Sequence, residues 1–76
     1  MNKARRKNIA NAYEVIKTAV DVLNKVLEEE EESRDNTPEN LQNSDRYYES
    51  EEACDALSSA LMDLESGLAE LEEICG

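Results

Sequence analysis

Apolar residues recur at alternating intervals of three and four through two blocks of roughly thirty residues, a pattern that commits most of the chain to long amphipathic helices. In the first block Ile9, Tyr13, Ile16, Val20, Leu23 and Leu27 follow one another at spacings of 4, 3, 4, 3 and 4. A second series runs beside it, made of Ala12, Val15, Ala19, Val22 and Val26. Together they cover an arc of about 160° on a wheel of roughly 3.6 residues per turn. One partner helix leaves part of so wide a face bare.

The second block repeats the rule with Cys54, Leu57, Leu61, Leu64, Leu68, Leu71 and Cys75, at spacings of 3, 4, 3, 4, 3 and 4. Its flank carries the small residues Ala53, Ala60 and Gly67. A glycine inside a helix costs about 1 kcal/mol relative to alanine, so Gly67 on that flank marks either a close backbone contact or a glycine tolerated within a stable bundle. Between the blocks, Thr37-Pro38-Glu39 reads as a short helical turn. Thr37 is expected as its cap and Pro38 in its first position, where a missing N–H costs nothing. Ser44 or Asp45 is the expected cap of the second long helix.

These signals predict a single all-α domain over residues 1–76, an antiparallel helical hairpin that assembles into a multi-helix bundle. Its helices are expected over about residues 3–33 and 45–75, with a connection of about 34–44 holding the short turn. The expected oligomer core is Ile9, Tyr13, Ile16, Val20, Leu23, Leu27, Leu57, Leu61, Leu64, Leu68 and Leu71.

Assembly is expected because a chain of 76 residues buries little surface alone. Small scaffolds make up the deficit with disulfides, metals or oligomerisation. Cys54 and Cys75 lie 21 residues apart in one helix, about 30 Å at roughly 1.5 Å per residue, whereas a disulfide needs Cα atoms within about 7 Å. They read as two reduced thiols packed as small hydrophobes. The chain has no His, no Cys-x-x-Cys and no calcium-type loop, so neither a metal nor another cofactor is expected. Oligomerisation remains.

Charge is distributed unevenly. Residues 1–25 carry six cations (Lys3, Arg5, Arg6, Lys7, Lys17 and Lys25) against Glu14 and Asp21, a net of +4. Residues 26–76 carry Arg34 and Arg46 against seventeen acids, a net of −15. The total of −11 argues against direct binding of nucleic acid, which demands a basic surface. Cations at the start of the first helix and Glu28–Glu32 near its end both oppose the helix dipole. Within one hairpin Glu28–Glu32 would face further acids at Glu49, Glu51 and Glu52. An antiparallel second copy would bring the basic end to the acidic one, so the expected state is an antiparallel homodimer or a dimer of dimers.

Without His there is no base to activate a nucleophile, and the many carboxylates read as a solvated face. No catalytic residue is expected. The basic cluster has two main readings beside a third, in which it is a disordered tip or meets some other partner. It is the electrostatic lock of the assembly, or it is an anion-binding rim in which Arg5 and Arg6 meet Arg46, Tyr47 or Tyr48 from another subunit's loop end. Arginine grips phosphate through two donors, and tyrosine offers a stacking face. The candidate ligand-binding residues are therefore Arg5, Arg6, Arg46 and Tyr47. The loop's Asn and Gln side chains could read a base edge, or simply satisfy turns. The N-terminus is polar and no apolar run is long enough to span a bilayer, so a soluble protein with no membrane partner is expected.

The opening Met1-Asn2-Lys3-Ala4-Arg5-Arg6-Lys7 and the loop Pro38-Glu39-Asn40-Leu41-Gln42-Asn43-Ser44-Asp45-Arg46 resemble short acidic helical-hairpin proteins of bacteriophages and prophages. That resemblance implies action in the cytoplasm of a bacterial host, against host defence. Two routes fit. The oligomer sequesters a signalling nucleotide through Arg5, Arg6, Arg46 and Tyr47, or the Glu-rich surface mimics nucleic-acid phosphates and occupies a basic host defence protein, such as a CRISPR effector nuclease. A third reading is a structural or adaptor bundle whose partner is another helix.

Overall fold

The computed structural model describes residues 1–75, and Gly76 lies outside the described residues. The chain forms helix α1 (Lys3–Asp35), a 3₁₀ turn (Glu39–Leu41) and helix α2 (Asp45–Cys75), the two long helices packed against one another as a hairpin. The result is a rod with principal extents of 59 × 15 × 14 Å.

Capping explains where the helices start. Asn2 is extended, and its side-chain carbonyl accepts the otherwise unpaired N–H of Arg5 at 2.8 Å. At α2 the Ser44 hydroxyl accepts the N–H of Tyr47 at 3.3 Å and donates to the Leu41 carbonyl at 2.7 Å. Ser44 rather than Asp45 therefore serves as the cap.

α1 runs through Asp35, two residues past the expected stop near 33, and Glu28–Glu32 stay helical. Arg34 in its last turn favours the negative end of the helix dipole. The helix closes with Asn36 N–H on Glu32 O at 3.0 Å and Thr37 N–H on Arg34 O at 3.1 Å. Pro38 then bars continuation, because the residue before a proline is pushed out of helical geometry. The expected roles of Thr37 and Pro38 are corrected here. The Thr37 hydroxyl donates back to the Ser33 carbonyl at 3.3 Å, while Pro38, extended at φ −56° and ψ 144°, occupies the cap position of the 3₁₀ turn without a side-chain cap.

The seam between the helices is narrow. Val20, Leu61 and Leu68 form its buried centre, with Tyr13, Ile16, Leu23, Leu27 and Leu57 packed half-buried around them. Ile9 and Leu71 continue it toward the open end half-buried, and Leu64 lies at its margin, 38% exposed. Cys54 is buried at the loop-end side and Cys75 half-covered, both as free thiols. Two polar contacts tie the helices: Ser50 donates to Glu30 at 2.8 Å, and Asn24 reaches Glu65 at 3.5 Å.

The second apolar series of α1 is left in solvent. Ala12 and Ala19 are exposed, and Val15, Val22 and Val26 are 71%, 55% and 46% exposed. Gly67 also departs from the close-contact reading, since a Cβ added there would meet nothing within 4 Å. Within one hairpin it makes no close backbone approach. It borders instead a shallow groove of about 320 Å³ shared by Ile16, Leu64, Leu68 and Leu71.

Candidate ligand site at the loop end

The hairpin turn borders an open concavity of about 570 Å³ between the last turn of α1, the 3₁₀ turn and the first turns of α2. Three elements supply its walls because the connection bends twice, once at Asn36–Thr37 and again at Gln42–Ser44. Its lining includes two guanidinium groups, Arg34 and Arg46, the ring of Tyr47, and the hydroxyl-bearing Ser33, Thr37, Ser44 and Ser50. Leu41 and Pro38 give it an apolar wall.

Arg34 is held where it is. Its side chain is 22% exposed, and its Nε and Nη2 both donate to Asp35 Oδ1 at 3.3 Å. Desolvation pushes this guanidinium down, but the Asp35 hydrogen bond and charge, with Cys54 and Glu31 adding to them, outweigh it and raise it above its ordinary value. It stays charged at every pH the fold can survive. Cys54 sits beneath the same site. Burial pushes its thiol up, and Glu30 and Glu31 act in the same direction against the opposing pull of Arg34 and a Ser50 hydrogen bond. A buried thiol of raised pKa is a poor nucleophile.

Arg46 is exposed and Tyr47 half-buried. Tyr47 meets Tyr48 edge to face, with ring centroids 6.2 Å apart and planes at 73°, which fixes the ring at the mouth of the cavity. Two loop amides are occupied internally: Gln42 donates to the Thr37 carbonyl at 3.3 Å, and Asn43 accepts from the Tyr48 hydroxyl at 3.4 Å. These two stabilise the turn, while Asn36 lines the cavity.

The four expected ligand residues therefore split into two pairs at opposite ends of the rod. Arg46 and Tyr47 line the loop-end cavity, while Arg5 and Arg6 lie exposed in the first turn of α1, roughly 44 Å away at about 1.5 Å per residue from Arg5 to Arg34. Among the described residues the one ion pair is Arg34–Asp35, and the basic cluster pairs with no described carboxylate of its own hairpin. Arg34 is the residue that sequence reasoning missed. It is the one cation between Lys25 and Arg46, set among Glu28–Glu32, Asp35 and Glu39, and that isolation was the available signal.

Chemically the site can hold an anion of modest size. Two guanidinium groups offer planar donors, a phenol offers a face, and hydroxyls offer adaptable hydrogen bonds. Glu30 in the wall opposes the anion, favouring a ligand that places its charge on the Arg46 side. Among the described residues no group of three or more His, Cys, Asp or Glu is placed to hold a metal ion, and no helix is long and apolar enough to cross a membrane. Comparison with protein-family models, with curated proteins and with solved structures finds no match.

Proposed function

We propose that this protein is a non-enzymatic binding module which works as a homo-oligomer and sequesters an anionic, nucleotide-like ligand at the loop end of the hairpin. The observation that carries this reading is the convergence of Arg34, Arg46 and Tyr47 on a cavity of about 570 Å³, large enough for a mononucleotide or half of a dinucleotide. The phosphate meets Arg46 first and then competes with Asp35 for Arg34. The base stacks on Tyr47. Acting in a bacterial host, such a module would lower the free concentration of a defence signal without altering it chemically.

The test is thermal unfolding with a panel of mononucleotides, cyclic dinucleotides and inorganic phosphate. A ligand that binds only the folded state stabilises it by about 2.7 kcal/mol at a hundred times its dissociation constant. One member of the panel should raise Tm, and Arg46→Glu should abolish that rise while leaving the helical spectrum intact. A full panel without any shift removes the reading.

A second reading, mimicry of nucleic acid, draws on a different observation. The chain carries nineteen acids, of which Asp35 is the one in an ion pair among the described residues. Unpaired carboxylates along a rod suit the groove of a basic nuclease, and association of that kind would weaken steeply with salt.

A further inference from the structure

The exposed series on α1 extends further than its apolar residues. Continued by the same three and four spacing, it reads Arg5, Asn8, Ala12, Val15, Ala19, Val22, Val26 and Glu29. Arg5, Asn8 and Glu29 are as solvent-exposed as Ala12 and Ala19 between them, or nearly so at Asn8, and neither charge has an ion-pair partner among the described residues. The stripe is therefore an apolar strip with a cation at one end and an anion at the other. A strip of that kind is complementary to itself when turned end for end.

We propose that a second copy of this chain docks on that strip, α1 against α1 and antiparallel, with Arg5 of each copy on Glu29 of the other. The inference rests on the homo-oligomer reading and adds the face and register that it lacks. Setting Arg5 opposite Glu29 fixes every other pairing: Ala12 falls opposite Val22, and Val15 opposite Ala19. Val15 and Val22 each meet an alanine, the large-against-small alternation that lets two helices interdigitate closely, while Val26 falls opposite Asn8. No parallel arrangement does this, since it sets Arg5 on Arg5 and Glu29 on Glu29.

Two further features of the hairpin agree with this face. Ile16, beside Ala12 and Ala19 on the helix surface, lines the shallow groove with Leu64, Gly67, Leu68 and Leu71, and Asp63 and Glu70 also border it, so apolar surface continues from α1 onto α2 between carboxylates. That added width matters, because a strip about 36 Å long and one helix wide falls short of the roughly 800 Å² per partner of a standard interface. Gly67, where an added Cβ would meet nothing within 4 Å, leaves room there for an approaching backbone. The same register brings Arg5 to the level of the other copy's Glu29, about 8 Å along the axis from its Arg34 at about 1.5 Å per residue.

The experiment is sedimentation equilibrium of the full chain, of Arg5→Glu, of Glu29→Arg and of the double exchange, with far-UV circular dichroism as the folding control. Each single exchange sets like charges together at both ends of the interface and should weaken dimerisation by tenfold or more. The double exchange restores opposite charges in the same register and should recover most of the loss. An oligomer indifferent to both single exchanges, or a double exchange as weak as the singles, overturns the register. A folded chain that stays a single copy at millimolar concentration overturns both the register and the homo-oligomer reading. Ligand binding at the loop end is scored separately by the nucleotide panel, so its failure leaves this result intact.

Discussion

α1 carries two apolar series with the same periodicity and nearly the same length, and the fold treats them in opposite ways. Ile9, Tyr13, Ile16, Val20, Leu23 and Leu27 meet α2, and Val20 at their centre is 4% exposed. Ala12, Val15, Ala19, Val22 and Val26 meet water. The main difference is side-chain size. Around Val20 the seam uses leucine, isoleucine and tyrosine, which bury enough area to hold two helices together, whereas the outer series uses alanine and valine, which add little to one hairpin. One series makes the hairpin, and the other is the face on which we propose that a second copy docks.

Breaking the seam should have the largest effect. Leu61→Ala removes a side chain 3% exposed at the buried centre and should cost about 2–5 kcal/mol of stability in chemical denaturation. The equivalent truncation on the outer series, Val22→Ala, should change the stability of the single hairpin by less than about 0.5 kcal/mol. Its effect should fall on self-association, and a seam-sized loss in dilute samples would mean that the two series are not functionally separate.

Smaller effects sharpen the same contrast. Ser44→Ala deletes the hydroxyl that caps α2 and should cost about 1 kcal/mol. Gly67→Ala should gain up to about 1 kcal/mol in the isolated hairpin, because the added methyl meets no neighbour and improves helix propensity. Its gain should shrink, or reverse, at concentrations where two copies associate.

The smallest effect is on pH dependence. The folded state raises the Cys54 thiol above its ordinary value, so the unfolded chain loses its proton first as pH rises. The linkage then lowers stability as pH rises, full stability being kept below the unfolded pKa and lost on the way to the folded one. Cys54→Ala should flatten the alkaline limb of a stability–pH curve, and an unchanged slope would place its cause elsewhere.

Much of this architecture could be read from the residues alone. The three and four spacing identified both helices, and Ser44 and Asp45 together marked the start of α2, although serine and aspartate cap about equally well and the residues alone did not separate them. The end of α1 was harder to place, since a run of five glutamates has good helix propensity but an unfavourable dipole interaction, and only the observed closure at Asn36 shows which prevails. Thr37 was misread because its hydroxyl had two candidate partners, one ahead and one behind, and the carbonyl of Ser33 took it. The candidate site was half legible. Arg46 and Tyr47 were found from their chemistry, but Arg34 enters through the three-dimensional bend of the loop, which brings the end of one helix beside the start of the next. Gly67 was legible as unusual and misleading as to cause, because a small residue marks a close contact without saying whether the neighbour belongs to the same chain.

The two thiols, so unequal in their surroundings, amount to a built-in gauge of how the rod comes apart. Cys75 lies half-covered near the open end, whereas Cys54 is enclosed beside the bend. A thiol-reactive dye should mark the first quickly and the second only when the helices separate locally. The ratio of those two labelling rates reads the lifetime of the closed bend in a single sample, without any engineered reporter, and a ligand seated above Cys54 would slow its labelling alone.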